Sequence, residues 1–382
     1  MKILITGGAG FIGSYLTNLL YNEGHQVFVI DNLSKQVHGK EKTKSFLYQT
    51  IIDKADFFEE DILTSKSLNS LIGKVDCIVH LAAETGTGQS MYDISNYVRT
   101  NSLGTSKILE SLVKNKNTVK KFILASSRAV YGEGKYSCLE HGIVYPVARR
   151  IEDMRKGDFE CKCPICNNEV TALATDEDSI IFPQSIYGIT KFNQEQLVKS
   201  VCNSINLPYS IFRFQNVYGN GQSLNNPYTG ILAIFCKLLL ENKEINVFED
   251  GLESRDFIHV TDITKAIYLD LKSHQNFQTY NVGSGKRTTV IEIVHMLEER
   301  IISTAKHRIS GAFRLGDIRH NYADVTNISK LLGFTPSIKL DDGIFSFIDW
   351  TRLSESDPVS NNYKKSVAEM EKFKLYYNKT NS

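Results

Sequence analysis

Tyr187 and Lys191 stand four residues apart in the run Tyr187-Gly-Ile-Thr-Lys191. On a helix that spacing puts a phenol and an ammonium on one face. A nearby cation favours the phenolate and lowers the tyrosine pKa towards working pH, where it can act as a base. Taken alone, such a pair is an ordinary solvated helix face; Ser127, at the carboxyl end of an apolar run, adds a hydroxyl that can complete a catalytic set. A second constellation is Cys138-Leu-Glu-His141 followed, after 21 residues, by Cys163-Pro-Ile-Cys166. Paired ligands in two short knuckles match a closed tetrahedral zinc site. Successive N–H groups of a Cys-Pro-x-Cys turn can donate to the sulfurs. Four protein ligands (Cys138, His141, Cys163, Cys166) leave no open position, so such a metal is structural. Cys161 is a spare thiol able to replace His141.

The elements that must position these groups begin at the amino terminus. Ile3, Leu4 and Ile5 read as a buried parallel strand. Gly7, Gly10 and Gly13 follow at three-residue spacing, and Ser14–Leu20 has helical character. Strand, glycine turn and helix in that order make a dinucleotide site: the backbone approaches a pyrophosphate, which sits on the free N–H groups of the helix. Gly24 closes the helix, Val27–Ile30 is a second strand, and Asp31 stands at its end, placed to accept from both ribose hydroxyls of NAD and to repel the extra phosphate of NADP. Asn32–Lys44 reads as a loop over the adenosine, and Asp61 and Ile62 end a third strand beside the adenine. Val75–Ala83 is a further buried strand, Glu84–Tyr92 a loop facing the ligand, Ser95–Val113 a helix, and Lys120–Ser126 a fifth strand. Pro183 and Ser185 are start signals for a helix that runs to Val201. The alternation argues for a doubly wound parallel sheet with ligands beyond the carboxyl ends of its strands.

A chain of 382 residues with a net charge of +1 has room for two domains and no global pull towards nucleic acid or membrane. No apolar run is long enough to span a bilayer, and a strand starting at residue 3 argues against a signal peptide. A cytoplasmic enzyme is expected. Seven cysteines make no disulfide scaffold at this size; Cys77, Cys202 and Cys236 read as small core residues.

The runs TGGAGFIGS (6–14), DNLS (31–34), HLAA (80–83), SSRAVYG (126–132), YGITK (187–191), RFQNVYG (213–219), RDFIHVTD (255–262) and RLGD (314–317) resemble those of extended short-chain dehydrogenases/reductases of the nucleotide-sugar epimerase/dehydratase type, and span residues 2–350. The resemblance implies a Rossmann-type α/β fold: an NAD-binding domain (1–215, interrupted by an insertion at 133–182 with the zinc knuckle), a smaller, mainly substrate domain (216–350) with some return to the sheet, and a tail (351–382). It implies Tyr187 as base, Lys191 as its electrostatic partner and ribose anchor, and Ser127 as partner of the sugar hydroxyl. The cofactor site it implies comprises Gly7, Gly10, Phe11, Ile12, Gly13, Asp31, Asn32, Ser34, Asp61, Ile62, Leu81, Ala82, Ala83, Asn101, Ser126, Tyr187, Lys191, Phe214 and Val217. The substrate residues are Thr85, Ser127, Arg128, Asn216, Asn225, Tyr228, Arg255, Arg314 and Asp317, with Arg255 and Arg314 gripping a diphosphate through their planar donor forks. A homodimer through the helices Ser95–Val113 and Tyr187–Val201 is implied as well.

Dehydratases of this type carry an Asp-Glu pair directly after the position of Ser127. Here Arg128 and Ala129 stand there, and neither can protonate a leaving hydroxyl or take a proton next to a ketone. What remains is oxidation at a sugar carbon and return of the hydride to the other face, a 4-epimerase that consumes no net NAD. The runs 216–235, 247–260 and 316–320 are most similar to those of dTDP-L-rhamnose 4-epimerases, which interconvert dTDP-L-rhamnose and dTDP-6-deoxy-L-talose. A UDP-hexose 4-epimerase, a nucleotide 4-ketosugar reductase with exchangeable NAD(P)H, and a non-catalytic NAD-sensing regulator are the other readings; a sensor needs no general base. Residues 354–361 read as a linker and 363–377 as one amphipathic helix.

Overall fold

The computed structural model describes residues 1–224, 226, 228, 230–354 and 359–379. Strands β1 (Lys2–Thr6), β2 (Gln26–Asp31), β3 (Asp56–Glu59), β4 (Cys77–His80) and β5 (Lys121–Ser127) join the strands Tyr209–Phe214 and Gln278–Val282 in one sheet. Its order is Gln278–Val282, Tyr209–Phe214, β5, β4, β1, β2, β3, and every pairing is parallel. Both faces are covered, which is why the strands read as unbroken apolar runs. Ile3 and Ile5 pack with Val27 and Val29 on one face, while Leu4 packs with Phe28 and Ile30 on the other. The strand order reverses between β1 and β4, and a crevice opens beyond their carboxyl ends, where such sheets bind ligands.

Helix α1 (Phe11–Asn22) follows the glycine turn. The helix Ile186–Ser204 starts where Ser185 caps it, its Oγ accepting from the Gly188 N–H at 3.1 Å. That long helix is pinned from below: Glu195 accepts from Arg213 Nε and Nη2 at 3.0 and 2.8 Å, on the neighbouring strand Tyr209–Phe214, and from Ser126 Oγ on β5. A second apolar core, around Leu232, Phe235, Leu239, Ile293, Leu297 and Phe347, supports the part of the chain after residue 216.

Local features differ from the sequence reading, among them a helical turn at Thr87–Ser90 within the expected loop Glu84–Tyr92. The helix expected over Ser95–Val113 is built from Ile94–Tyr97, a π-helical turn Val98–Leu103 and Gly104–Lys114. The wider turn carries the buried Asn101, whose amide bonds the Glu84 backbone N–H at 2.8 Å and C=O at 3.1 Å. The stretch 32–44 is not plain loop but holds short helical turns at Lys35–His38 and Lys42–Lys44. The tail forms a helix over Val359–Lys372 and then a strand, Tyr376–Tyr377, antiparallel to Phe313–Arg314. The turn between them uses Lys374 in the left-handed region (φ 56°), and the Tyr377 ring stacks on Phe313 with centroids 5.5 Å apart. Among the described residues no helix is long and apolar enough to cross a membrane.

The insertion contains a small antiparallel sheet in which Tyr136–Cys138 lies between Gly142–Val144 and Thr171–Ala172. It packs mainly against residues 249–250 and 313–320, not along the helix that carries Tyr187.

Candidate active site

The glycine turn is tight because no side chain fits there. A Cβ on Gly7 (φ +72°) meets the Ala82 nitrogen at 2.6 Å, and one on Gly13 meets the Gly7 oxygen at 2.2 Å. These two glycines bring α1 against the ends of β1 and β4. Gly10 has more protein space, 3.2 Å to the Gly7 oxygen, and lines the crevice. Asp31, at the end of β2, accepts from Ala9 N–H at 3.0 Å and Leu33 N–H at 2.9 Å, and burial raises its pKa. Around it lie Asn32, Ser34, Asp61, Ile62, Leu81, Ala82 and Ala83, joined by Gln36, Val37 and His38 from the unexpected helical turn.

A second cavity continues from Gly7, Gly10, Phe11, Ile12 and Gly13 past Ser126, Ser127, Arg128, Tyr187 and Lys191 to Thr85, Phe214, Asn216, Val217 and Tyr228. The glycine turn, the end of β5, the helix Ile186–Ser204 and the chain after residue 213 all line this one cavity, so a dinucleotide on the glycines and a second ligand beside Tyr187 would share it. A cradle of glycine N–H groups with a carboxylate at the next strand end fits NAD. Asn101 is the one expected cofactor residue that lines neither cavity; it sits behind Glu84 and bonds Thr190 Oγ1 at 3.0 Å, so it positions the wall.

Tyr187 and Lys191 share a helix face and line the same cavity, but the electrostatics differ from the expectation. Burial raises the Tyr187 pKa; the hydrogen bond with Ser127 and the charge of Arg128 work against it. The Lys191 ammonium instead donates to the Ala125 carbonyl at 2.7 Å, and burial lowers its pKa to about 7. The cation acting on the phenol is therefore Arg128, one residue beyond Ser127, where the sequence argument had placed Lys191. Arg128 Nε donates to Asn216 Oδ1 at 2.9 Å, and burial holds its own pKa down at about 9.

Next to this cavity Arg128, Asn216, Tyr228, Arg255, Arg314 and Asp317 line a third one. Arg255 is aimed by backbone carbonyls: Nη1 donates to Ser254 and Arg319 at 2.8 and 2.9 Å, Nη2 to Ile318 at 2.7 Å. Carbonyls orient a guanidinium without neutralising it, and the carboxylates of Glu253 and Glu133 also feel its charge. Arg314 is ion-paired with Asp317 at 2.7 Å and lies over the Phe248 ring at 5.0 Å. Asn225 falls outside the described residues.

The sequence reading missed three contributors. Tyr97 donates to the carbonyl of Thr85 at 2.6 Å and that of Gly86 at 3.0 Å, and meets Tyr187 edge-on at 6.4 Å. Phe248 faces the anion cavity. Glu369, from the tail, lies 2.8 Å from the Tyr228 hydroxyl and 3.0 Å from that of Tyr92, so that one phenol donates to the carboxylate and the other either to it or to its neighbouring phenol, and Phe373 stacks on Tyr92 at 4.9 Å. A tyrosine buried just ahead of a π turn and a carboxylate over a hundred residues from its partners leave no local pattern to read.

In the insertion, Cys138 Sγ lies 3.7 Å from Cys166 Sγ and 3.6 Å from His141 Nδ1, and Cys163 Sγ lies 3.7 Å from the same nitrogen. All four ligand atoms fall within 4.8 Å of one another. Zinc–sulfur bonds of about 2.3 Å give tetrahedral edges of about 3.8 Å, so the thiols and imidazole stand at the corners of such a site. N–H groups of Glu140 and His141 point at Cys138, and that of Asn168 at Cys166. Cys161 does not compete with His141, because it is buried against Glu133 and Tyr136 instead.

With this geometry in hand, comparisons place the chain among known proteins. The family model described as NAD dependent epimerase/dehydratase family matches residues 3–147 and 167–283. The chain is 35% identical over 353 residues to a dTDP-L-rhamnose 4-epimerase of Burkholderia thailandensis, covering 91% of this chain and 94% of that one. It is 30% identical to a putative UDP-glucose 4-epimerase of Methanocaldococcus jannaschii, covering 92% and 98%. Its fold is similar to the UDP-glucuronic acid 4-epimerase of Bacillus cereus solved with UDP-glucuronic acid and NAD (TM-score 0.75, 28% identity, 92% of this chain and 99% of that one).

Proposed function

The chain belongs to the NAD dependent epimerase/dehydratase family, and from that premise we propose that it interconverts dTDP-L-rhamnose and dTDP-6-deoxy-L-talose. At the coarser level it is an NAD-dependent nucleotide-sugar 4-epimerase. The observation that carries the reading is one continuous crevice in which Ser127, Tyr187 and Lys191 lie between the glycine cradle and the arginines. The relative from Burkholderia thailandensis supports the sugar pair. A UDP-hexose substrate is the second reading, favoured by the UDP-glucose relative and by the neighbour solved with a UDP-sugar.

NAD held in the glycine cradle would supply the hydride chemistry at C4, with no net redox over the full cycle. Gly7, Gly10 and Gly13 admit the pyrophosphate, and Asp31 accepts from the adenosine ribose. Tyr187 takes the proton of the sugar 4-hydroxyl and later gives it back; Ser127 holds that hydroxyl by a hydrogen bond. Arg128 stabilises the phenolate as it forms, and Lys191 anchors the nicotinamide ribose. Arg255 and Arg314 hold the diphosphate while the oxidised sugar turns about that link, with Asn216 and Tyr228 lining its path.

Residues 1–215 form the NAD-binding part with the insertion 133–182, residues 216–350 the mainly substrate part, and 351–382 the tail. Cys138, His141, Cys163 and Cys166 hold a structural zinc ion. The enzyme works in the cytoplasm as a homodimer, through a face that exposes Ile94, Val98, Leu103, Val113 and Ile189.

Incubating the purified protein with dTDP-, UDP- and GDP-sugars and following C4 configuration by NMR tests the reading. Epimerisation of dTDP-L-rhamnose without added cofactor is expected. A dependence on added NAD(P)H points to a ketosugar reductase, and inertness towards the whole panel defeats the proposal.

A further inference from the structure

Asp317 lines the anion cavity, and residues 318–320 follow directly behind it. Their carbonyls aim Arg255, and the Asp317 carboxylate pairs with Arg314. The insertion holds this stretch from one side, while from the other Asp250 takes Arg319 Nη1 and Nη2 at 2.7 and 2.8 Å and the Ser254 N–H donates to the Arg319 carbonyl at 3.0 Å. Glu133 accepts from the Arg319 N–H at 2.7 Å, and Arg149 Nη2 donates to the Asp317 carbonyl at 3.0 Å. Glu160 takes Arg319 Nε and Nη2 at 2.9 and 2.6 Å, and its other oxygen lies 3.2 Å from His320 Nε2. Glu249 completes the knot, accepting from both Arg149 and Arg319 at 2.8–2.9 Å.

Arg319 is fully buried. A buried guanidinium is costly to desolvate unless its partners are well placed. One of those partners, Glu160, is tethered to the cysteine cluster, three residues before Cys163; Glu133, which takes the Arg319 backbone N–H, lies five before Cys138. The insertion's own apolar core is small, Tyr136, Val144 and the cysteines themselves. An element that small needs a staple to hold a fixed shape.

We infer that the metal-clamped insertion is a buttress for the diphosphate arginines: zinc in the Cys138–His141–Cys163–Cys166 site fixes Glu133 and Glu160, which fix residues 317–320 and through them Arg255 and Arg314. Glu160, Arg149 and Arg319 are positioning residues. The inference rests on the reading of Arg255 and Arg314 as the diphosphate grip, and it makes nucleotide-sugar affinity depend on a metal outside the crevice.

The test measures zinc content by plasma mass spectrometry, calorimetric affinity for dTDP and UDP, and kcat and KM, on the full chain and two variants. The full chain should carry one zinc ion. Cys163→Ser should lose it, and the favoured nucleoside diphosphate should bind roughly 3- to 30-fold more weakly, the span expected for coupling through packed contacts. Glu160→Ala, which leaves the ligands intact, should keep the zinc and show the same loss of affinity. In both, KM should rise while kcat stays within about twofold and bound NAD is retained. A zinc-free full chain, a Glu160→Ala protein that binds nucleotide normally, or a full chain that binds neither nucleotide overturns the inference. If no sugar turns over yet zinc content and nucleotide affinity respond as stated, the substrate reading fails and the buttress stands.

Discussion

In the proposed mechanism Tyr187 is the residue on which the chemistry turns. It lines the crevice beside Ser127 and Arg128, so removing its hydroxyl would leave the crevice intact but without a proton acceptor. Tyr187→Phe should lower kcat by about 10²- to 10⁴-fold, as loss of a general base does, while the NAD released on denaturing the purified variant shows the cofactor still bound. Lys191 makes a separate prediction. Its native pKa of about 7 lies below the 10.5 of an ordinary lysine. Between those values the unfolded chain binds a proton that the native chain does not, so this residue makes ligand-free stability rise with pH across that window and plateau below it. Tm against pH should therefore climb less steeply from 7 to 10.5 in Lys191→Met than in the parent, and identical slopes would refute the assignment. Tyr187 and Lys191 were legible from spacing because i, i+4 geometry is local. That Arg128, and not Lys191, acts on the phenol was not, because it depends on where β5 ends relative to the helix Ile186–Ser204.

At the level of elements, the tail is the part the sequence described least well. Its helix brings Glu369 to Tyr228 and Tyr92 at the mouth of the crevice, and its strand pairs with the segment bearing Arg314. Two phenols converging on one carboxylate hold each other in place. Glu369→Ala should raise KM for the nucleotide sugar several-fold, about 1 kcal/mol for a lost hydrogen-bond acceptor, with kcat preserved; Glu369→Gln, which keeps an acceptor, should recover most of it. An unchanged KM in the alanine variant would assign the tail to stability alone. The amphipathic pattern of residues 363–377 was readable, but the break at Lys374 and the strand after it come from stacking on Phe313, a contact with a distant segment. The π turn at Asn101 has the same origin: only packing against Glu84 and Thr190 gives it a reason.

At the scale of the molecule, the exposed apolar residues on the helices around Ile94–Lys114 and Ile186–Ser204 form a face that a second copy would cover. Val98→Asp together with Leu103→Asp should convert the dimer to monomer in light scattering, with the NAD site unharmed; a parent chain that is itself monomeric would end that reading. The sequence by itself determined the parallel sheet, the glycine cradle, the shared face of Tyr187 and Lys191 and the paired cysteine knuckles, because each is a short-range pattern imposed by backbone sterics or helix and turn geometry. Tertiary structure alone decided which cation faces Tyr187, that His141 rather than Cys161 completes the cysteine cluster, and that the insertion leans on residues 317–320. Those outcomes depend on burial and on contacts between segments far apart in the chain, and no spacing within a segment encodes them.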